Sequence, residues 1–86
     1  MGRFFKLRQK ILAGTSDANV EFRALCNLLL WLGFDLRVKG SHHVFTRGDI
    51  AEIISLQPKG SKAKAYQVKQ VRELLIKYRL GEANDA

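Results

Sequence analysis

Hydrophobic positions recur along the chain at two periods, and the change from one to the other divides it. Phe4, Leu7 and Ile11 stand at i, i+3 and i+7 with Lys6, Gln9 and Lys10 between them, which predicts a short amphipathic helix ending at Gly14. The segment Gly14-Thr15-Ser16-Asp17-Ala18-Asn19 breaks that pattern, and Thr15, Ser16, Asp17 and Asn19 all suit an N-cap. Beyond it Phe22, Leu25, Cys26, Leu29 and Leu32 form one stripe, so a helix is expected over 20–32 with Gly33 as its stop. Leu28 and Trp31 lie beside the stripe and widen it. This helix therefore either packs on two elements or leaves an apolar patch for a partner.

From Phe34 the period becomes two. Phe34, Leu36 and Val38 alternate with Asp35, Arg37 and Lys39 as in a half-buried strand. Gly40-Ser41 turns the chain, 42–47 reads as a second strand, Arg47-Gly48-Asp49 as a tight connection and 50–56 as a third strand. Short sequential strands with short turns predict an antiparallel meander. A polar loop over 57–64 follows, then a helix over 66–80 with Val68, Val71, Leu75 and Tyr78 on one face, closing at Gly81. The expected fold is α+β: two helices covering one face of a three-stranded antiparallel sheet in the order α-β-β-β-α, plus a short extra N-terminal helix. The divisions expected are an N-terminal helical extension over 1–15, one domain over 16–81, and a frayed tail over 82–86. The sheet face away from the helices is left free for function.

Composition adds a partner class. Fifteen Lys and Arg against eight Asp and Glu give the 86 residues a net charge of +7, a balance that speaks of association with polyanions, nucleic acid first and an acidic protein second. One cysteine, Cys26, excludes an intramolecular disulfide and a multi-thiolate zinc site, and suits a reducing compartment. The longest apolar run, 28–32, is far short of the ~20 residues of a membrane span. The basic N-terminus lacks the apolar block of a secretory signal and is read as part of the mature protein.

The charge is unevenly placed. No acidic residue occurs between Ile53 and Arg72, whereas Lys59, Lys62, Lys64, Lys69 and Arg72 fall in that window. With Gly60-Ser61 leading into a helix N-terminus, these cations are candidate phosphate contacts that would position a nucleic acid backbone without reading its sequence. Aromatic residues are few and are better used in the core, which argues against base-specific recognition of single strands.

Both histidines of the chain, His42 and His43, stand together after Gly40-Ser41. Adjacent strand residues point to opposite faces, so the two do not share a site unless a bulge intervenes, and too few other ligands exist for a metal. His42 shares a face with Val44 and Thr46, His43 with Phe45 and Arg47; if the large Phe45 turns toward the helices, His42 points out of the open face. An imidazole there suits proton transfer at neutral pH. It could abstract the 2′-hydroxyl proton of RNA, with lysines stabilising the charge that develops on phosphate. On these two residues alone, histidines simply tolerated in a strand remain the alternative.

Gly40-Ser41-His42-His43-Val44-Phe45, preceded by a helix ending in Leu32-Gly33-Phe34 and the strand from Asp35 to Lys39, and followed by a third strand and the terminal helix of 71–80, resembles the HicA family of toxins of prokaryotic toxin-antitoxin pairs. The resemblance covers 22–80. It implies a fold like the double-stranded RNA-binding domain and endoribonuclease action on messenger RNA in the cytoplasm. It also implies growth arrest, and neutralisation by a HicB-type antitoxin in a toxin-antitoxin hetero-oligomer. It implies catalysis by His42, with His43 as second choice, and Gly40 and Ser41 shaping the approach of RNA. No metal or cofactor is expected. Family members commonly carry a histidine after the third strand where this chain has Leu56-Gln57-Pro58-Lys59-Gly60-Ser61-Lys62, so a second proton-transfer group would be a lysine such as Lys59 or Lys62, or part of the RNA. The alternatives are a non-catalytic module that binds structured RNA with the same fold and lysines, and a basic domain that docks an acidic protein.

Overall fold

In a computed structural model, which describes residues 2–82, the change of hydrophobic period at Phe34 is the point where helix gives way to sheet. The order is α1 (Arg3–Ala13), a 3₁₀ turn (Asp17–Asn19), α2 (Phe22–Trp31), β1 (Asp35–Lys39), β2 (His42–Arg47), β3 (Ile50–Leu56), β4 (Pro58–Lys59), β5 (Lys62–Ala63) and α3 (Ala65–Lys77). The α-β-β-β-α layout and the extra N-terminal helix are those expected. Of the expected tail, residues 83–86 lie outside the described residues. No described helix is long and apolar enough to cross a membrane.

The sheet is a meander of order β1-β2-β3, antiparallel throughout. Leu36, Phe45 and Ile54 face one another across it and form the inner row, with Ile50 and Leu56 on the same side. The buried faces of α1, α2 and α3 close over them in a single core. A bulge between Phe45 and Arg47 shifts the β2–β3 register beyond this row. The opposite face carries Arg37, Lys39, His42, Thr46, Ile53 and Ser55, all exposed, with Val44 half-buried.

Helix α2 begins two residues later than expected, and none of Thr15, Ser16, Asp17 or Asn19 caps it. The reason lies in β4 and β5, which pair as a two-residue hairpin where the sequence suggested only a loop. This hairpin holds the approach to α2 in an extended conformation. Ala63 donates to the Val20 carbonyl at 2.8 Å, and the Phe22 N–H, an unfilled donor of the first helical turn, reaches the Ser61 carbonyl at 2.9 Å. At the other end Gly33 adopts φ 94°, and the Gly33 and Phe34 N–H groups donate to Leu30 and Leu29, a Schellman closure that returns Phe34 to the core. The widened stripe of α2 divides: Leu28 is fully buried, whereas Trp31 is 52% exposed and stacks on Phe4 of α1 at 5.4 Å.

Helix α3 stops at Lys77, three residues before the expected end. Arg79 takes the left-handed conformation (φ 54°) and the Leu80 N–H donates to Leu75, which folds Leu80 back into the core instead of extending the helix. Buried Arg8 of α1 donates to the Leu80 carbonyl at 2.7 Å, and Ile11 is fully buried, so α1 is built into the same core as the domain it precedes. Glu52 of β3 joins the sheet to the end of α3, accepting from Lys77 Nζ at 2.7 Å and from the Tyr78 hydroxyl at 2.6 Å.

Two predictions test these closures. An L-residue in the left-handed region costs about 1–2 kcal/mol, part of which glycine recovers, so Arg79→Gly should raise stability by about 1 kcal/mol in urea unfolding. The hydrogen bond from Lys77, and then that from Tyr78, hold the Glu52 carboxyl at about 2, below its ordinary 4.5. Because the folded value is the lower one, the stabilisation is complete above the ordinary value and disappears as pH falls through the folded one. Glu52→Gln should therefore melt below the parent at pH 7, with the gap closing between 4.5 and about 2; a gap independent of pH would contradict the assignment.

Candidate functional site

The site grows from one turn. Gly40-Ser41 connects β1 to β2 with Lys39 paired to His42, and only the first turn residue has positive φ (57°), the pattern of a II′ hairpin in which glycine avoids the Cβ penalty. Lys59-Gly60-Ser61-Lys62 repeats this turn, with Gly60 at φ 63°. From the first turn the alternation of β2 sends His42 outward and His43 inward, as the burial of Phe45 requires.

His42 is exposed on the open face, and its Nδ1 lies 3.4 Å from the Ser55 hydroxyl of β3. Beside it, the Ser41 hydroxyl accepts from Gln57 Nε2 at 3.0 Å, and Gln57 Oε1 accepts from Lys64 Nζ at 3.4 Å. The buried amide of Gln67 fixes this end of β3: it accepts from the Gln57 N–H and donates to the Ser55 carbonyl, both at 3.3 Å. Lys64 is thereby joined to the histidine turn through two side chains. Ser55, Gln57 and Gln67 did not stand out in the sequence. Only Gln67 carried a signal, a polar residue next to Val68 on the core side of a helix. Lys39 and Arg37 were also overlooked, although their alternation with Leu36 and Val38 places them on the open face with His42.

His43 has a different setting. It pairs with Val38 and Leu56 on the inner face, its ring meets Phe22 edge-on at 4.9 Å, and its buried Nδ1 has no hydrogen-bond partner among the described residues. Among the described residues no three His, Cys, Asp or Glu side chains converge. Cys26 is buried, and desolvation pushes its thiol up to about 11, so it is no nucleophile at neutral pH.

The expected phosphate contacts do not form one group. Lys59 on the hairpin and Lys69 on α3 are exposed and form no ion pair among the described residues. Lys62 pairs with Glu21 at 2.9 Å, an exposed contact worth about 0–1 kcal/mol that a polyanion can displace. Arg72 is placed otherwise: its guanidinium meets both Asp17 oxygens at 2.9 and 3.1 Å and the Ile11 carbonyl at 3.1 Å, tying α3 to the end of α1. Asp17, 55 positions earlier, thus neutralises it.

Comparison of the chain with protein-family models, with curated proteins and with solved structures finds no match.

Arg72 and Lys69 should accordingly separate in a stability measurement. Arg72→Ala leaves the Asp17 carboxylate without its partner and should lower the urea-unfolding midpoint, while Lys69→Ala should leave it unchanged.

Proposed function

We propose that the chain is a metal-independent endoribonuclease of the toxin type suggested by its resemblance to the HicA family, with His42 as the proton-transfer group. The observation that carries this reading is the placement of His42. It is the exposed histidine of an open sheet face, Nδ1 is near Ser55, Nε2 has no hydrogen-bond partner among the described residues, and Lys39 lies directly across the hairpin.

With RNA on that face, Nε2 of neutral His42 accepts the proton of a 2′-hydroxyl. The 2′-oxygen attacks the adjacent phosphorus, the P–O5′ bond breaks, and the 5′-oxygen leaves as a hydroxyl, giving a 2′,3′-cyclic phosphate. Lys39 and Lys59 stabilise the charge on the phosphoryl oxygens, and Lys64, held through Gln57, stands near the histidine turn. Lys59 is the better candidate for the acid than Lys62, which is paired with Glu21. Gly40 and Ser41 set the approach; Lys62 and Lys69 extend the phosphate track. The partners on this reading are messenger RNA and an acidic HicB-type antitoxin that covers the open face, and the compartment is the cytoplasm.

His42→Ala should lower cleavage of messenger RNA by the purified protein about 10²–10⁴-fold and abolish growth arrest on expression, with the melting temperature unchanged. Equal cleavage by both proteins would sink the enzymatic reading; RNA binding without cleavage in either would favour the non-catalytic module.

A further inference from the structure

A cavity of about 710 Å³ opens between α1, the start of α2 and the tip of the β4–β5 hairpin. His42 is not among its lining residues. Phe4 and Phe22, both half-buried, give it an aromatic wall beside Leu7; Arg3 and Arg23, both exposed, line it as well, as do Gly60 and Ser61 of the hairpin. Neither arginine forms an ion pair among the described residues, and Glu21, the acid in the lining, is engaged by Lys62. The cavity is therefore cationic as well as aromatic, and its size lies within the about 300–1,000 Å³ of small-molecule sites.

Two of its lining residues connect it to the histidine turn. Phe22 lines the cavity and meets His43, the neighbour of His42. Pro58 lines it too, and follows directly on Gln57, whose side chain bonds Ser41. The cavity lies on the helix side of the sheet and His42 on its open face, both toward the end where β2 begins and β3 finishes, and the exposed Lys59 stands in the chain between Pro58 and Gly60, which both line the cavity.

We infer that this cavity is a subsite for an unpaired nucleotide of single-stranded RNA, with the base against Phe4 and Phe22 and its phosphates against Arg3 and Arg23. Aromatic faces and guanidinium groups together are the means by which proteins hold splayed-out bases, and unpaired nucleotides offer both a π-face and the complementary charge. The wall contributed by α1 makes the N-terminal helix part of substrate recognition. This assignment rests on the chain being an RNA-binding protein, and it names the class of RNA: a strand with at least one unstacked base.

The test uses full-length His42→Ala protein, so that binding is read without cleavage, while wild-type cleavage is measured separately. Hexauridylate should shift the backbone amide resonances of Arg3, Phe4, Arg23, Ala24, Gly60 and Ser61. It should bind about tenfold more tightly than a hexamer of abasic ribose phosphate, the size of one base-stacking contact. Phe4→Leu, which keeps an apolar contact with Trp31, should erase that difference. Arg3→Ala with Arg23→Ala should weaken hexauridylate binding at least tenfold, and by more than it weakens binding of a fully paired duplex. The proposal is overturned if the abasic hexamer binds equally well, or if these amides stay in place with hexauridylate. It is likewise overturned if they move only with an acidic amphipathic peptide, which would make the cavity a protein-docking groove. Amide shifts with hexauridylate in a protein whose wild type cleaves nothing would uphold the subsite while removing the ribonuclease reading. Full cleavage by the arginine double variant with unmoved amides would do the reverse.

Discussion

The open face of the sheet depends on the burial of Phe45. This ring is fully buried between Leu36 of β1 and Ile54 of β3, and no exposed position in β2 could hold so large an apolar group without loss of about 1.5–3 kcal/mol. Side chains in a strand alternate strictly, so anchoring Phe45 inward assigns every other side chain of β2. His43 follows it inward and His42 turns out. A slip of one residue would exchange the histidines and bury the wrong one. The Gly40-Ser41 turn makes such a slip harder, since it fixes the pairing of Lys39 with His42. The irregularity in the β2–β3 ladder lies beyond Phe45, between it and Arg47, and leaves the histidine end in register.

A chain of this size has little core to lose, and it uses polar side chains to close the places where elements end. Arg8 takes the Leu80 carbonyl, Glu52 takes Lys77 and Tyr78, and Arg72 takes Asp17 with the Ile11 carbonyl. Each of these contacts joins a helix terminus to a distant part of the chain. They also sort the charged residues. Among the described residues five acids are engaged by Arg47, Lys62, Arg72, Lys77 and Arg79, and the positive excess is carried by the rest. Arg3, Arg23, Arg37, Lys39, Lys59 and Lys69 are exposed cations of this second group. The field that a polyanion would feel comes from them, and Arg72 adds almost nothing to it.

The sequence made some of this legible and hid the rest for identifiable reasons. The bounds of β2 and β3 coincide with the alternating runs because β2 lies between two glycine turns and β3 runs from the second of them to Gln57-Pro58, and turn chemistry is local. The direction of His42 was readable too, since it needed only alternation and the size of Phe45. The start of α2 was not, because Val20 and Phe22 are held by the Ala63 N–H and the Ser61 carbonyl, some forty positions away, and the Gly60-Ser61 turn lacks the alternating apolar flanks that mark Gly40-Ser41 as a hairpin. The end of α3 was misplaced for a related reason: burial of Leu80 and its bond to Arg8 outweigh the local cost of a left-handed Arg79. Arg72 reads as a phosphate contact because it closes the acid-free window that holds Lys59, Lys62, Lys64 and Lys69. Its partner Asp17 had been read as a helix cap. Charge runs report sequence neighbourhood, whereas ion pairs are decided by the fold.

The two Lys-Gly-Ser turns show how one local solution takes on different roles from its setting. Both place glycine at the first turn position with positive φ, and in both the two strand residues flanking the turn are a pair. The first belongs to a sheet whose far side is core, so its flanking pair, Lys39 and His42, stands on a rigid open face. The second has only two residues per strand, too few to be stable alone. It persists because β5 also pairs with the segment before α2, through Val20 and through Glu21 opposite Lys62. Gln57 lies between the turns and links them, reaching Ser41 in one and Lys64 just past the other, while buried Gln67 holds its backbone N–H. The position of the second turn relative to His42 is thus set by a buried amide on α3. A change in how α3 seats on β3 would move the hairpin lysines and the hairpin side of the cavity together, leaving the histidine where β2 places it.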